Sequence, residues 1–228
     1  MFGKRRDKEI QRSELNLMLI KEKLRTIQTN IQFLKADGQK IKTIVITSSN
    51  KGEGKTFVSR NLASSFVEQG KKTLLIDIDL HKPALTKLLG CRFKRGLSDA
   101  LNGRDSLDNL ILDTEEENLY FLPSGTIPPN PNELLGSQMM DTIIEYVNQQ
   151  FDIIIFDSPP VNIINDVRIF SSLCDGVIFV TAYNKTRSRD IQMGIESLKK
   201  VDANVLGVLI NFQDYSTKQK KNLMYYSK

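Results

Sequence analysis

A glycine-rich segment with a lysine and a threonine follows an apolar run near residue 50. The segment reads ITSSNKGEGKTF, and its glycines Gly52 and Gly54 allow the backbone to turn its N–H groups toward phosphate oxygens. Lys55 would supply a cation at the β- and γ-phosphates of a nucleotide, and the Thr56 hydroxyl would bind Mg²⁺. Ser49 stands where the usual phosphate-loop pattern has its first glycine. The segment therefore predicts a phosphate-binding loop.

Three carboxylates follow apolar runs and are candidates for a metal site. Asp77 and Asp79 end the run LLIDID, and Asp157 ends IIIFD. In open parallel sheets the ligand lies beyond the carboxyl ends of the strands, so we expect these groups to gather near the phosphate loop. On a regular strand Asp77 and Asp79 would face the same side, where two like charges need a cation or a shared proton between them. The alternative for each is a turn or helix-capping role.

The elements that position these residues alternate between β-rich and helical segments. TIVITS, KTLLIDID, DIIIFD, GVIFVTA and NVLGVLIN are predicted strands, and TFVSRNLASSFVEQG, SQMMDTIIEYVNQQF and SRDIQMGIESLKKV are predicted helices. Strands that are apolar throughout predict an α/β P-loop NTPase fold, with a mostly parallel sheet and helices on both faces. Residues 13–36 show helical apolar spacing. We divide the chain into an N-terminal helical and oligomerisation segment (1–36), a P-loop domain (37–212) and a flexible tyrosine-bearing tail (213–228).

Composition and charge limit the cellular compartments and partners that we expect for the protein. The chain has 228 residues and a formal net charge of +5. Its apolar runs are shorter than the ~20 residues of a membrane span, and the N-terminus lacks the apolar stretch of a secretory signal. Cys91 and Cys174 match no metal spacing, which favours a reduced cytosolic setting. The basic clusters at both ends suit an anionic partner or simple solvation, and we predict no nucleic-acid partner.

Three further segments resemble the bacterial tyrosine kinases, a group within the MinD/ParA-like P-loop ATPases. GTIPPNPNELLGS is similar to their G-x-x-P-P-N-P-x-E-L-L-x-S segment, DIDLHKP to their D-x-D-x-R-x-P motif, and GLSDALNG to their G-L-S-x-x-L-x-G turn. The resemblance extends from about Leu17 to the C-terminus, and the proline-rich segment is its most specific part.

The resemblance implies an ATP- and Mg²⁺-dependent protein-tyrosine kinase. Such a chain autophosphorylates a C-terminal tyrosine cluster, here Tyr215, Tyr225 and Tyr226. It regulates capsular or extracellular polysaccharide synthesis together with a membrane adaptor. The implied partners are that adaptor, further copies of the chain in a ring, and a cognate tyrosine phosphatase. The implied location is cytoplasmic, at the inner face of the cell membrane through the adaptor.

The resemblance also assigns residues. Asp77 and Lys55 are the catalytic candidates, although the roles of Asp77 and Asp79 can be exchanged. Thr56, Asp79 and Asp157 are the metal candidates, and Asn211 matches the family's adenine contact. The nucleotide-binding candidates are Ser49, Lys51, Gly52, Glu53, Gly54, Lys55, Thr56, Phe57 and Asn211.

The chain departs from the family pattern at several positions. His81 replaces an arginine, and we interpret it as a surface-loop residue. The family's E-x-x-R-x-x-R assembly pattern becomes Glu22, Arg25 and Gln28. Lys51 is typical of MinD/ParA proteins and favours the alternative of a positioning ATPase. A third hypothesis is a nucleotide-gated regulator with little catalysis. The tail has too few apolar residues for the amphipathic membrane helix expected of a MinD-type protein.

Overall fold

The protein is organised around a central seven-stranded sheet. A computed structural model describes residues 2–36, 38–128 and 131–216. The strand order is β5-β6-β4-β7-β3-β8-β9, and neighbouring strands are parallel except for the antiparallel pair β5–β6. The strands, with the small antiparallel pair β1–β2 included, are β1 (Lys35–Ala36), β2 (Gln39–Lys40), β3 (Thr43–Ser48), β4 (Thr73–Asp77), β5 (Leu112–Asp113), β6 (Leu119–Leu122), β7 (Ile153–Asp157), β8 (Gly176–Ala182) and β9 (Val205–Asn211).

Helices connect the strands and cover both faces of the sheet. They are α1 (Phe2–Phe33), α2 (Lys55–Val67), α3 (Ala84–Leu88), α4 (Leu97–Leu101), α5 (Leu107–Leu110), α6 (Pro131–Leu135), α7 (Gln138–Gln150), α8 (Asp166–Ser172) and α9 (Ser188–Lys199). The predicted P-loop NTPase fold, with its mostly parallel sheet, is confirmed.

The core consists of two apolar clusters, one on each face of the sheet. Successive residues of β7 alternate between them: Ile154 and Phe156 belong to the cluster that contains residues of α7, α8 and α9, whereas Ile153 and Ile155 face the cluster formed with α1 and α2. Because both faces of the central strands β3, β4 and β7 are buried, their apolar residues run consecutively instead of alternating with polar ones, as expected of a covered parallel sheet.

The register of the sheet brings the predicted site together. Asp77 at the end of β4 is the Cα partner of Asp157 at the end of β7, and Asp157 is the partner of Ile46 in β3. The phosphate loop leaves β3 two residues later. One prediction is wrong: β4 ends at Asp77, so Asp79 does not extend from the same regular strand. A backbone turn there separates the two carboxylates and aims them at different partners.

The N-terminal helix packs against the second half of α2. Lys21 and Arg25 contact Glu68 at 2.9 and 3.7 Å, and Leu24 and Ile31 are buried in the cluster shared with α2. Gln28 is fully buried among the described residues, and its amide atoms have no hydrogen-bond partner there. The role of this segment in oligomerisation stays a prediction. No helix in the described ranges has the length and apolarity to cross a bilayer.

Candidate active site

The phosphate loop connects β3 to α2 and requires glycine at a specific point. Gly52 and Gly54 have φ angles of +76° and +90°, a region that L side chains rarely adopt. A Cβ atom at Gly54 would lie 2.0 Å from Nδ2 of Asn211. The Asn211 amide donates a hydrogen bond to the Glu53 carbonyl oxygen at 3.0 Å. Asn211, predicted as an adenine contact, therefore also holds the loop against the end of β9.

Glu53 stabilises the loop from inside. Its buried carboxylate accepts hydrogen bonds from the Asn50 backbone N–H at 2.8 Å and from the Thr186 hydroxyl. These contacts join the phosphate loop to the β8–α9 connection. The Glu53 side chain is thus occupied by the protein, and a contact from Glu53 to nucleotide would use its backbone N–H. Nothing in the local sequence pointed to Thr186 as a partner, because it lies 133 residues away along the chain.

Asp157 lies against the first turn of α2. Its two carboxylate oxygens accept hydrogen bonds from the Thr56 hydroxyl at 2.8 Å and the Ser59 hydroxyl at 2.9 Å. Burial raises the pKa of Asp157 to about 6, although both hydroxyls and the charge of Lys55 favour the carboxylate. Thr56 and Asp157, two of the predicted metal residues, are therefore in contact. Ser59 was not predicted, since a serine one turn into a helix has no distinctive pattern.

Lys55 begins α2 and is half-buried beside several carboxylates. Burial lowers its pKa, while the charges of Asp157, Asp79 and Glu53 act in the opposite direction and Lys51 adds a smaller lowering. The carboxylates favour the charged form of Lys55. A desolvated cation attracts phosphate oxygens strongly, because little water competes for it. The exposed Lys51 lies on the outer side of the loop.

A further cation near the loop was missed from the sequence. The Lys185 Nζ atom lies 3.8 Å from the position that a Cβ atom would take at Gly52. Lys185 belongs to the β8–α9 connection, which Thr186 joins to the phosphate loop. The sequence signal, an isolated lysine in a polar turn, is too common to be informative.

Asp77 is buried on the side of the site next to α3. One of its oxygens accepts hydrogen bonds from both the Thr86 backbone N–H and the Thr86 hydroxyl at 2.8 Å, and the other accepts the Asp79 N–H at 3.1 Å. Burial, followed by the charge of Asp157, raises the pKa of Asp77 to about 7. Thr86 had not been singled out from the sequence.

Asp79 occupies the turn after β4, between Lys55 and the exposed surface. Its carboxylate accepts the backbone N–H groups of His81 and Lys82 at 3.3 and 2.8 Å, which fixes the turn. The charge of Asp79 acts on both Lys55 and Asp157, so it lies on the phosphate-loop side of the site. His81 is exposed in this turn, which confirms its interpretation as a surface-loop residue.

This arrangement of loop, lysine and strand-end carboxylates recurs in known proteins. Residues 41–210 match the AAA domain family. The tyrosine-protein kinase CpsD of Streptococcus pneumoniae serotype 4 is 42% identical over 189 residues, which cover 82% of this chain and 82% of that protein. The chain belongs to the bacterial tyrosine kinases.

Two more comparisons agree with this membership. The tyrosine-protein kinase YwqD of Bacillus subtilis is 37% identical over 190 residues, covering 83% of this chain and 80% of that protein. The crystal structure of the chimerical protein CapA2B2 superposes with a TM-score of 0.80 at 34% identity and covers 85% of both chains. The predicted family and the predicted class of enzyme, a protein-tyrosine kinase, are confirmed.

Two segments that resemble the tyrosine-kinase pattern form one interlocked unit beside the site. The buried Asp99 of GLSDALNG accepts the backbone N–H groups of Gly96 and Thr126 at 3.0 and 3.1 Å. A Cβ atom at Gly96 would lie 2.1 Å from the Pro123 carbonyl oxygen, so only glycine permits this approach. The contacts of Asp99 hold the chain after β6 against α4.

The site offers oxygen ligands suited to Mg²⁺. In the described part of the chain, no three acidic, histidine or cysteine side chains converge to hold a metal by themselves. Mg²⁺ is usually bound by one or two carboxylates together with substrate phosphates and water, so this donor set fits it. The hydroxyl of Ser49, buried at the start of the loop, has no hydrogen-bond partner within the described residues. Such a donor suits an additional oxygen acceptor.

The remaining predicted site residues lie at the edge of this region or beyond it. Phe57 is exposed on the first turn of α2. Tyr215 is half-buried in a groove of about 630 Å³ between α1 and β9, and its hydroxyl contacts Gln213 at 2.8 Å. Tyr225 and Tyr226 lie outside the described residues.

Proposed function

We propose that this tyrosine kinase transfers the γ-phosphoryl group of Mg-ATP to tyrosines of its own C-terminal segment. The observation that carries the proposal is the 2.8 Å contact between the Thr56 hydroxyl and Asp157, at the helix end that receives the phosphate loop. A hydroxyl and a carboxylate in contact at this position are the paired protein ligands that P-loop enzymes use for Mg²⁺.

The positions of the phosphate-loop residues support the roles that we propose for them. The backbone N–H groups around Gly52 and Gly54, together with the N-terminus of α2, would bind the phosphates. Lys55 would contact the β- and γ-phosphates, while Thr56, Asp157 and Asp79 would hold the metal and its waters. Bound Mg²⁺ supplies positive charge that neutralises the developing negative charge on the transferred group. Phosphoryl transfer depends chiefly on such positioning and charge neutralisation.

The proton of the acceptor tyrosine requires a base. A tyrosine hydroxyl has a pKa of about 10, so the proton must leave as the new O–P bond forms and the bond to the departing ADP breaks. We assign this proton to Asp77, whose pKa of about 7 lies near the operating pH, as expected of a general base. The Asp77 oxygen that accepts the Asp79 N–H has a second lone pair that could receive this proton. Asp79, nearer the surface, is the exchangeable alternative.

The acceptors in this proposal are Tyr215, Tyr225 and Tyr226. Each phosphate adds about −1.5 to −2 charge at pH 7. A phosphorylated tail would be repelled by the site carboxylates, so modification would release the tail and loosen a ring of subunits. We further propose that the kinase is cytoplasmic and works with a membrane adaptor in capsular or extracellular polysaccharide synthesis. The adaptor would hold it at the membrane, and a tyrosine phosphatase would remove the phosphate from its tyrosines. The names of the relatives and the likeness to a chimeric protein support this setting.

The deciding experiment is mass spectrometry of the purified protein after incubation with Mg-ATP and the adaptor's cytoplasmic segment. We expect phosphate on the tail tyrosines, with little in the absence of the adaptor segment. The Lys55→Met variant should fold, because its side chain supports no described hydrogen bond, yet it should show no phosphotyrosine. Undiminished phosphotyrosine in folded Lys55→Met protein would contradict the kinase mechanism. ATP hydrolysis without any tyrosine modification would favour a positioning ATPase.

A further inference from the structure

A short turn after α3 presents an aromatic side chain directly to solvent. Phe93 is 93% exposed, and the Arg92 guanidinium lies 5.6 Å from the centre of its ring. The turn has defined geometry, since the Cys91 N–H donates to the Thr86 carbonyl at 2.9 Å and the Lys94 N–H donates to the Cys91 carbonyl at 2.9 Å. We call residues 91–95 the Phe93 turn. Its backbone bonds fix the aromatic ring at the tip.

The surroundings of the Phe93 turn are cationic. No acidic residue occurs between Asp79 and Asp99, whereas the same stretch contains exposed basic residues just before α3, on α3 and on both sides of Phe93. Among them, Arg95 has an ion-pair contact in the described chain, with Asp105 at 3.4 Å. Leu88, 57% exposed, adds apolar surface nearby. These basic residues are Lys82, Lys87, Arg92, Lys94 and Arg95.

We propose that the Phe93 turn binds an anionic lipid surface, with the Phe93 ring in the interfacial layer and the flanking cations at the headgroups. Insertion would remove an exposed aromatic ring from water. Each cation near an anionic leaflet gains electrostatic free energy without needing one fixed partner. Aromatic and basic side chains are likewise combined in the amphipathic helices that lie in the membrane interface.

The shape of the turn distinguishes a lipid surface from an acidic peptide. Peptide and small-molecule sites are concave and enclose the recognised side chain. Phe93 instead projects from the tip of a turn, and it does not line the groove between α1 and β9. A projecting aromatic residue can enter a soft interface, whereas it would need a matching pocket on a folded partner. The observations therefore favour lipid.

Membrane contact at this point would orient the kinase. The Phe93 turn is bonded to the carbonyl of Thr86, and the N–H and hydroxyl of the same residue hold Asp77. Leu97, two residues after the turn, donates its N–H to the carbonyl of Pro123 at 2.8 Å, directly after the carboxyl end of β6, so the turn is joined to the same end of the sheet as the phosphate loop. A bound membrane would thus lie near the nucleotide end of the domain. This inference concerns lipid binding alone and does not depend on the proposed tyrosine acceptors.

The test is flotation of the full-length protein with vesicles, without nucleotide. One set is phosphatidylcholine, and the other contains one-third phosphatidylglycerol. We expect binding to the anionic vesicles only. The Arg92→Gln/Lys94→Gln variant should bind them about 25-fold more weakly, because each lost charge costs about fivefold. The matched control is Lys199→Gln/Lys200→Gln, which removes two exposed charges at the end of α9 and should bind like the unmodified protein.

A fluorescence measurement locates the inserted residue. The chain has no tryptophan, so Phe93→Trp introduces a single reporter. Its emission should shift to the blue with anionic vesicles, whereas Phe33→Trp, placed at another phenylalanine that is 82% exposed, should not shift. Absence of anionic-vesicle binding, equal binding by both charge variants, or an unshifted Phe93→Trp emission would each overturn the proposal. So would a shift caused by the adaptor's cytoplasmic segment and not by vesicles.

Discussion

The carboxylates Asp77 and Asp157 are register partners in neighbouring strands, and both are buried. They differ in the hydrogen-bond donors that the neighbouring helices provide. Asp157 is held by two α2 hydroxyls, those of Thr56 and Ser59. Asp77 is held by the backbone N–H and the hydroxyl of one residue of α3, Thr86. A hydroxyl can rotate away from the carboxylate and donate its hydrogen bond to a new partner, whereas a helix N–H has a fixed direction. Equivalent positions in a sheet can therefore provide one carboxylate whose partners can be exchanged, Asp157, and one that is anchored by a backbone N–H, Asp77.

The anchored carboxylate is also linked to a second loop. The Thr86 hydroxyl accepts the Ser124 N–H at 2.9 Å, at the beginning of the segment that carries the proline-rich kinase motif. Asp77, α3 and that segment thus form one buried polar network. Such networks are costly to disrupt in part, because each lost partner leaves another polar group unsatisfied. We infer that the α3 side of the site is rigid and the α2 side is prepared for ligand exchange.

The largest expected effect separates the two carboxylates by function. Asp157→Asn should weaken Mg²⁺-dependent nucleotide binding and lower phosphoryl transfer by about 100-fold or more, since it would remove the charge of the proposed metal ligand beside the transferred group. Asp77→Asn should lose transfer to a similar extent while nucleotide binding changes much less, because the amide cannot accept the tyrosine proton. Fluorescent-nucleotide titration with and without Mg²⁺, run beside a phosphotyrosine blot, measures both. Equal loss of nucleotide binding in the two variants would mean that Asp77 contributes to nucleotide binding and does not accept the tyrosine proton.

The next effect compares the helices that hold the carboxylates. Thr86→Val should lower the free energy of unfolding by about 2–3 kcal/mol, because Asp77 and the Ser124 N–H each lose a buried partner. Ser59→Ala should cost only about 0.5–1 kcal/mol, since Asp157 keeps the Thr56 hydroxyl. Thr86→Ser is the matched control, because it retains the hydroxyl. Urea denaturation gives these values, and similar costs for Thr86→Val and Ser59→Ala would refute the contrast in rigidity.

The smallest effect concerns the dependence of stability on pH. The pKa of Asp77 is raised from 3.8 to about 7, so between these pH values the folded protein retains a proton that the unfolded chain has released. The contribution of Asp77 to the free energy of unfolding is therefore present at low pH and is lost as the pH rises through this window. Relative to wild type, Asp77→Asn should gain about 2 kcal/mol of stability between pH 5 and pH 8, as 1.4 kcal/mol corresponds to one pKa unit.

The controls for this measurement are the difference between the two pH curves and the addition of Mg-nucleotide. Asp157 also has a raised pKa, so the wild-type curve contains both groups, and the difference from Asp77→Asn isolates one of them. Mg-nucleotide should flatten the wild-type curve, because a nearby cation favours the ionised carboxylates. Parallel curves for wild type and Asp77→Asn in the absence of metal would show that Asp77 is already ionised in the folded protein.

The local sequence was sufficient to predict those parts of the site that are formed by residues close together along the chain. The phosphate loop, the strand that precedes it and the helix that follows it all lie within residues 43–67, and each was predicted from apolar spacing, glycine and charge. The carboxylates at the strand ends were predicted as well, because parallel strands place their carboxyl ends together. The extension of β4 to Asp79 was predicted wrongly, since a two-residue extension of a strand and a turn have the same local pattern.

The sequence by itself determined the family, the α/β fold and the residue types at the phosphate loop, because these depend on short-range spacing and covered strands. Only the tertiary structure decided which donors hold each carboxylate. Thr186 reaches Glu53 across 133 residues and Asn211 reaches its carbonyl across 158, whereas Thr86 reaches Asp77 across nine. Hydrogen bonds between segments depend on how helices and loops pack around the sheet. Since many serines and threonines satisfy the same local pattern, a single sequence does not distinguish the ones that packing brings into contact.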